Sequence, residues 1–292
     1  MRHAFLITAY RDPEALLELL DGLPAGSTAY VHYDRRSDLS SAMAARLQGH
    51  GAVRYWTRRH RVRWGGRAHL LAMLELSRAA VKDGAAERLH LISGSDRVVV
   101  PDTTFFAHFE RAPDAEYLVH FALPTPYWRG GGLDRLTHYH PLDLLDLRSV
   151  RQRRLRDLFL RLQHRMGIHR PLPKDVPLFG GSSWWSLSRT CVAEVLALSD
   201  AHPALLRRLR WTHVPEEIFF PTLVMAGASA ARAVNDNLRY IDWVPRDGRN
   251  PAVLDERDLT AIVASGKLFA RKLERPTSSG LIQALNALRR GQ

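Results

Sequence analysis

The sequence has one cysteine, Cys191, in 292 residues, so neither an intrachain disulfide nor a cysteine-ligated metal cluster can form. It sits in an apolar-periodic segment, Ser188 to Leu198, as a small buried side chain would. No run of about 18 apolar residues occurs, as a membrane-spanning helix would need. The apolar start, Ala4 to Ala9, is too short for a secretory signal and no small-residue cleavage site follows it, so a cytoplasmic location is the expectation. Glycine-rich phosphate loops are missing too. Without Gly-x-Gly-x-x-Gly or Gly-Lys-Ser/Thr, a dinucleotide fingerprint or P-loop is not expected. There is no internal repeat, low-complexity tract or composition break to mark a second domain.

What is present suits an ordinary globular chain with a sizeable core, 46% hydrophobic and 25% charged. Basic residues outnumber acidic ones by 42 to 30, giving a net charge of +12. Such a surplus favours anionic partners: a diphosphate, an acidic glycan, an anionic membrane or nucleic acid. Much of it falls between Arg148 and Arg170, where Leu155, Leu158, Phe159, Leu162 and Met166 recur at helical spacing. A basic amphipathic helix of this kind either lies on an anionic membrane or turns its apolar face to the core, and the core is the expectation.

His3 to Ala9 reads as a buried strand and Thr28 to Asp34 as a second. Between them Asp12 and Pro13 supply an N-cap and a first helical residue for the leucine-periodic Glu14 to Leu20. Strand, helix, strand opens a parallel α/β sheet, whose ligands gather at the carboxyl ends of the strands. Further strands are expected at Val53 to Trp56, Arg88 to Ile92 and Tyr117 to Phe121, with helices over Ala68 to Ala80 and at the C-terminus around Leu281, Leu285 and Leu288. Tyr127 to Arg135 reads as a flexible loop. The fold class is therefore α/β, with a mixed, mostly parallel central sheet flanked by helices.

The stretch Phe179-Gly180-Gly181-Ser182-Ser183-Trp184-Trp185-Ser186 holds glycines that permit close approach to a ligand, hydroxyl donors, and tryptophans on which a sugar can stack. One helix later, Pro215-Glu216-Glu217 offers a carboxylate pair for base chemistry. The same residues also suit a loop, a tryptophan core and an ordinary acidic helix start. His138 and His140 have the i, i+2 spacing of a strand-face metal pair, without a third ligand nearby.

Phe5-Leu6-Ile7-Thr8-Ala9-Tyr10, His32-Tyr33-Asp34, Arg63-Trp64-Gly65-Gly66 and Leu91-Ile92-Ser93-Gly94-Ser95-Asp96 precede the Gly181 to Ser188 stretch and Pro215 to Phe220. Leu238 to Trp243 and Leu268-Phe269-Ala270-Arg271-Lys272 follow. In this order they resemble glycosyltransferase family 14, the core-2/I-branching β-1,6-N-acetylglucosaminyltransferases and peptide O-xylosyltransferases, and its compact bacterial members above all. The resemblance spans nearly the whole chain. It implies a single GT-A-like domain over 1–292, with 1–125 the nucleotide-binding half and 126–292 the acceptor and catalytic half. It also implies a UDP-sugar donor and inverting transfer without a metal or other cofactor. The sequence agrees with the last point in lacking the Asp-x-Asp motif through which GT-A enzymes usually bridge a metal to the diphosphate.

The resemblance assigns the general base to Glu217, with Glu216 a plain helix-start carboxylate standing where the family has Asp. A first-turn position favours ionised Glu217, whereas Pro221 is expected to kink the helix. Lys272 and Arg249 would stabilise the leaving UDP, with Arg246 competing for the arginine role and Arg271 an ordinary solvated charge. Thr8, Ala9, Tyr10, Asp34 and Arg63 would line the donor pocket, with Trp64 beside it as a core residue. Ser182, Ser183, Trp184 and Trp185 would shape the sugar floor, one tryptophan facing the sugar and the other in the core. Arg135 and Trp128 would hold the acceptor. The expected activity is transfer of a sugar, GlcNAc before xylose, to a hydroxyl of a glycan or lipid-linked glycan, by an enzyme at most peripheral to the inner membrane face. No nucleic acid partner is expected. The alternative from another class is a non-catalytic binder of nucleic acid or acidic polymer, motivated by the charge and the arginine-rich helix.

Overall fold

The computed structural model describes residues 1–173 and 176–291. Its strands are β1 (His3–Ala9), β2 (Thr28–Tyr33), β3 (Val53–Thr57), β4 (Arg88–Ser93), β5 (Arg97–Val98), β6 (Glu116–Ala122), β7 (Phe179–Ser188), β8 (Ala233–Val234), β9 (Arg239–Ile241) and β10 (Phe269–Arg271). Seven form one sheet in the order β3-β2-β1-β4-β7-β6-β8, in which only β7 runs against the rest. The other three form a small sheet, β5-β10-β9. This is the mixed, mostly parallel α/β arrangement expected of a GT-A-like chain.

Every residue of β1 is buried, because the strand is central and both its faces are covered. Leu6 and Leu91 look to a core closed by the helices Arg67–Asp83, Arg189–Ala201 and Glu216–Ala226. Phe5 and Ile7 look to the opposite core, beneath Pro13–Asp21 and Asp102–Arg111. Asp12 caps the first helix as its position implies, its Oδ1 accepting from Ala15 N–H at 2.9 Å. Cys191 is buried, and burial pushes its thiol up to about 12, so it behaves as an apolar side chain.

The Phe179 to Ser186 stretch is a strand inside the sheet and not a ligand loop. Its glycines answer to the chain itself. The pairing of β6 with β7 is irregular between Leu118 and His120, and there the Val119 carbonyl oxygen occupies the space that a Cβ on Gly181 would need. A Cβ on Gly180 would lie 2.7 Å from the rings of Phe121 and Trp128. The Tyr127 to Arg135 segment is also more ordered than a flexible loop, with a 3-10 turn at Arg129–Gly132 and a helical turn at Asp134–Thr137. The helix Glu216–Ala226 runs through Pro221 as one element.

The basic segment forms the helix Val150–Arg165, but its apolar side does not meet the core. Leu155, Leu158, Phe159, Leu162 and Met166 are all exposed. His138 and His140 lie outside any strand: His138 is tilted against His164 and edge-on to His169, and His140 stacks on His213. No three His, Cys, Asp or Glu side chains among the described residues are grouped to hold a metal ion.

Candidate active site

The carboxyl ends of β1, β2 and β4 lie side by side. Asp34 N–H donates to the Ala9 carbonyl at 2.8 Å and Gly94 N–H to the Thr8 carbonyl at 3.0 Å, so the residues following the three strands are tied together. Asp34 is buried, its Oδ1 accepting from the backbone of Arg36 and Val62 at 3.0 Å each. Tyr10 is half exposed at the rim, with the Arg11 guanidinium 4.9 Å from its ring centroid.

Two helices point their first turns at this edge, and the Gly65-Gly66 pair sets both. The Gly65 carbonyl accepts from Val214 N–H at 2.9 Å, just ahead of the helix Glu216–Ala226. After Gly66, the Asp143 carboxylate accepts from Arg67 and Ala68 N–H at 3.2 and 3.1 Å, capping the helix Arg67–Asp83. His69 in that first turn reaches Glu216 Oε1 through Nδ1 at 2.8 Å, and Nε2 lies 3.2 Å from the Thr8 hydroxyl. Glu216 is thus no plain helix-start residue: it is buried and, through His69, ties the helix Glu216–Ala226 to the end of β1.

Glu217 faces the other way, 27% exposed, and its Oε2 accepts from Arg135 Nη1 at 2.7 Å. The same guanidinium lies 3.7 Å from the centroid of the Trp128 ring. Burial pushes the Glu217 carboxyl above its ordinary value and neighbouring Glu216 adds to the rise, while Arg135 and Arg271 pull it down. Desolvation therefore outweighs the pull of the two cations.

Trp184 and Trp185 are divided by the alternation of β7. Trp185 is fully buried against Phe220 and belongs to the core, which removes it from the sugar floor. Trp184 is only partly buried, near His69 on one side and with the Arg271 guanidinium 4.3 Å from its ring centroid on the other. Ser182 Oγ accepts from Asn237 Nδ2 at 3.2 Å, and Ser183 is buried.

Arg271 is not a solvated charge. It is buried, 3.9 Å from Asp96, and burial draws its pKa down. Asp96 accepts from Ser93 N–H at 2.8 Å and also lies 3.8 Å from buried Arg239. Lys272 follows Arg271, half buried and without a carboxylate partner among the described residues. Burial together with Arg271, Arg11 and Arg249 pushes its ammonium down to about 8. Arg249 is exposed and shares Glu274 with Arg11, at 2.8 Å from its own Nη1. Arg246 is instead held by Asp242 at 2.7 Å and Asp258 at 2.8 Å, with Asp255 close by, a structural knot with its charge already answered. Five cations, Arg11, Arg239, Arg249, Arg271 and Lys272, thus meet two carboxylates, Asp96 and Glu274.

Arg63 points to the Leu144 carbonyl. Trp64 is 68% exposed, not core, because the bend at Gly65 turns it outward beside His213. Arg11 ends the stretch from Thr8 that strand-end placement puts beside a ligand, whereas His69, Asp96 and Glu274 carry no such local signal, because their partners come from distant segments.

The profile of the Core-2/I-Branching enzyme family matches residues 3–263. The chain belongs to the Core-2/I-Branching enzyme family. This is the family to which the resemblance of its motifs pointed. Human xylosyltransferase 2 is 26% identical over 88% of the chain, which spans 30% of that protein's length. Beta-glucuronosyltransferase GlcAT14A of Arabidopsis thaliana is 32% identical over 36% of the chain and 24% of its own length. Among solved structures, mouse xyloside xylosyltransferase 1 aligns with 77% of this chain and 82% of its own, at 14% identity and a TM-score of 0.35.

Proposed function

We propose that this chain catalyses inverting transfer of a sugar from a UDP-sugar to an acceptor hydroxyl, with no metal between protein and diphosphate. The observation that carries the reading is that a partly buried, upward-shifted carboxylate, Glu217, feels the buried guanidinium of Arg271, which lies over Trp184 and neighbours Lys272. Glu217 takes the proton from the acceptor hydroxyl as its oxygen bonds to the anomeric carbon. The bond from that carbon to the diphosphate breaks on the opposite face, and its electron pair leaves with UDP. The charge that develops there is met by Lys272, Arg249 and Arg11, fixed cations that need no reorganisation. Arg135 holds Glu217 in place from the side, stacked on Trp128, and the acceptor enters next to this pair. Thr8, Tyr10 and Asp34 at the strand ends are the nucleoside side of the cleft, and Trp184 is the sugar platform.

The family resemblance points to GlcNAc as donor sugar, and the xylosyltransferase relative keeps xylose beside it. A panel of UDP-sugars, read for UDP release in EDTA with glycan acceptors, tests the reading and names the sugar. Glu217→Gln should cut turnover by about a hundred- to ten-thousand-fold while UDP binding persists. Turnover that survives this substitution, or that EDTA abolishes and Mn²⁺ restores, overturns it.

A further inference from the structure

The helix Val150–Arg165 is built unlike the other long helices of the chain. Among its described residues only Gln163 is buried, and the helix is fastened by polar contacts. Gln163 accepts from Tyr139 N–H at 2.7 Å and donates to the Tyr139 carbonyl at 3.0 Å, while the Gln152 carbonyl accepts from Asp146 N–H at 2.5 Å. Just beyond its end, buried Arg170 donates to the carbonyls of His138 and Trp211 at 3.1 and 3.0 Å. These contacts fix the orientation of the helix without using its apolar side.

That side carries Leu155, Leu158, Phe159, Leu162 and Met166, the 3-1-3-4 spacing of one helical face, each between 38% and 62% exposed. Arg151, Arg154, Arg161 and Arg165 fall on the same face or the flank beside it by the roughly 100° step of a helix. All four are exposed, and none pairs with a carboxylate among the described residues, whereas Arg156 near the anchored side is paired with Asp157 at 2.8 Å. An exposed aliphatic stripe bordered by unneutralised arginines matches the two layers of an anionic lipid surface. The stripe enters the acyl boundary and the guanidiniums meet the headgroup phosphates.

We propose that this helix docks the protein on an anionic phospholipid bilayer. Charge complementarity selects this occupant over the others. A second copy laid on the same face would set one arginine row against another. Nucleic acid would neutralise the arginines but leave an aliphatic stripe with one aromatic, Phe159, where single strands need stacking platforms.

Sedimentation of the full chain with phosphatidylcholine vesicles, with and without phosphatidylglycerol, tests the proposal. The anionic vesicles should bind it at least about ten-fold more tightly than the neutral ones. A double variant, Leu158→Ser with Leu162→Ser, should bind about ten-fold more weakly or worse while melting at the same temperature, since both positions are exposed. A triple variant, Arg151→Gln, Arg154→Gln and Arg161→Gln, should lose about a hundred-fold at low salt. On the unsubstituted protein, hydrogen exchange over 150–166 should slow when anionic vesicles are added. Absence of vesicle binding, or binding indifferent to the leucine pair, overturns the proposal. So does a dimer in solution that the leucine pair abolishes, or a single-stranded oligonucleotide bound more tightly than the vesicles.

Discussion

Arg135 and Glu217 meet at 2.7 Å across 82 residues of sequence, and the guanidinium is braced by stacking on Trp128. The pair sets two opposing influences on one carboxyl, because burial raises its pKa while the cation lowers it. A base must be deprotonated to act, so the proposed activity fails as pH falls through the Glu217 pKa. Arg135→Ala should move the acid limb of kcat/KM to higher pH, since the influence that opposed burial is gone. An unmoved limb would show that Glu217 is not the titrating base.

Lys272 works from the other end of the pH range. Its ammonium is pushed down to about 8, so the charge that faces the proposed diphosphate is lost as pH rises through that value. The KM for the donor should climb above about pH 8 in the native protein. Lys272→Gln should raise the donor KM throughout and flatten that climb. A donor KM equally steep in the variant would place the titration elsewhere.

His69 and Glu216 are a structural pair beside Glu217. His69→Ala would leave the buried Glu216 carboxylate, whose Oε2 has no partner, without its remaining hydrogen bond. Leaving a buried polar group without its hydrogen bond costs about 1–3 kcal/mol, and urea unfolding should show a loss in that range. The double variant with Glu216→Gln should recover part of it, because the carboxyl left without its partner is then replaced. Equal losses in the single and double variants would mean that removing the Glu216 carboxylate relieves nothing once His69 is gone.

Gly181 has no room for a side chain against the Val119 carbonyl. Gly181→Ala should lower stability by about 3 kcal/mol or more, through a shift of β7 away from β6. Gly51→Ala, where nothing lies within 4 Å of the added carbon, should stay within about 0.5 kcal/mol of the native protein. Similar melting temperatures for the two variants would show that the β6 irregularity yields easily.

The sequence by itself determined the order of the main strands and helices, since buried apolar runs, caps and helical leucine spacing are local signals. It also determined the family, whose motifs occur in order along the chain. Tertiary structure decided which of the chemically suitable residues are at work. Trp184 and Trp185 are alike in sequence, and strand alternation together with the Phe220 ring sends one to the cleft and the other to the core. Arg246 and Arg249 are equally plausible cations until Asp242 and Asp258 claim the first. Arg271 reads as surface charge beside Lys272, yet it is buried over Trp184. The basic helix shows an apolar face in any helical projection, but whether a core covers it depends on what is folded against it, and here nothing described does. Burial and ionisation are set by neighbours up to 147 residues away, as His69 is from Glu216, and no local pattern encodes such distances.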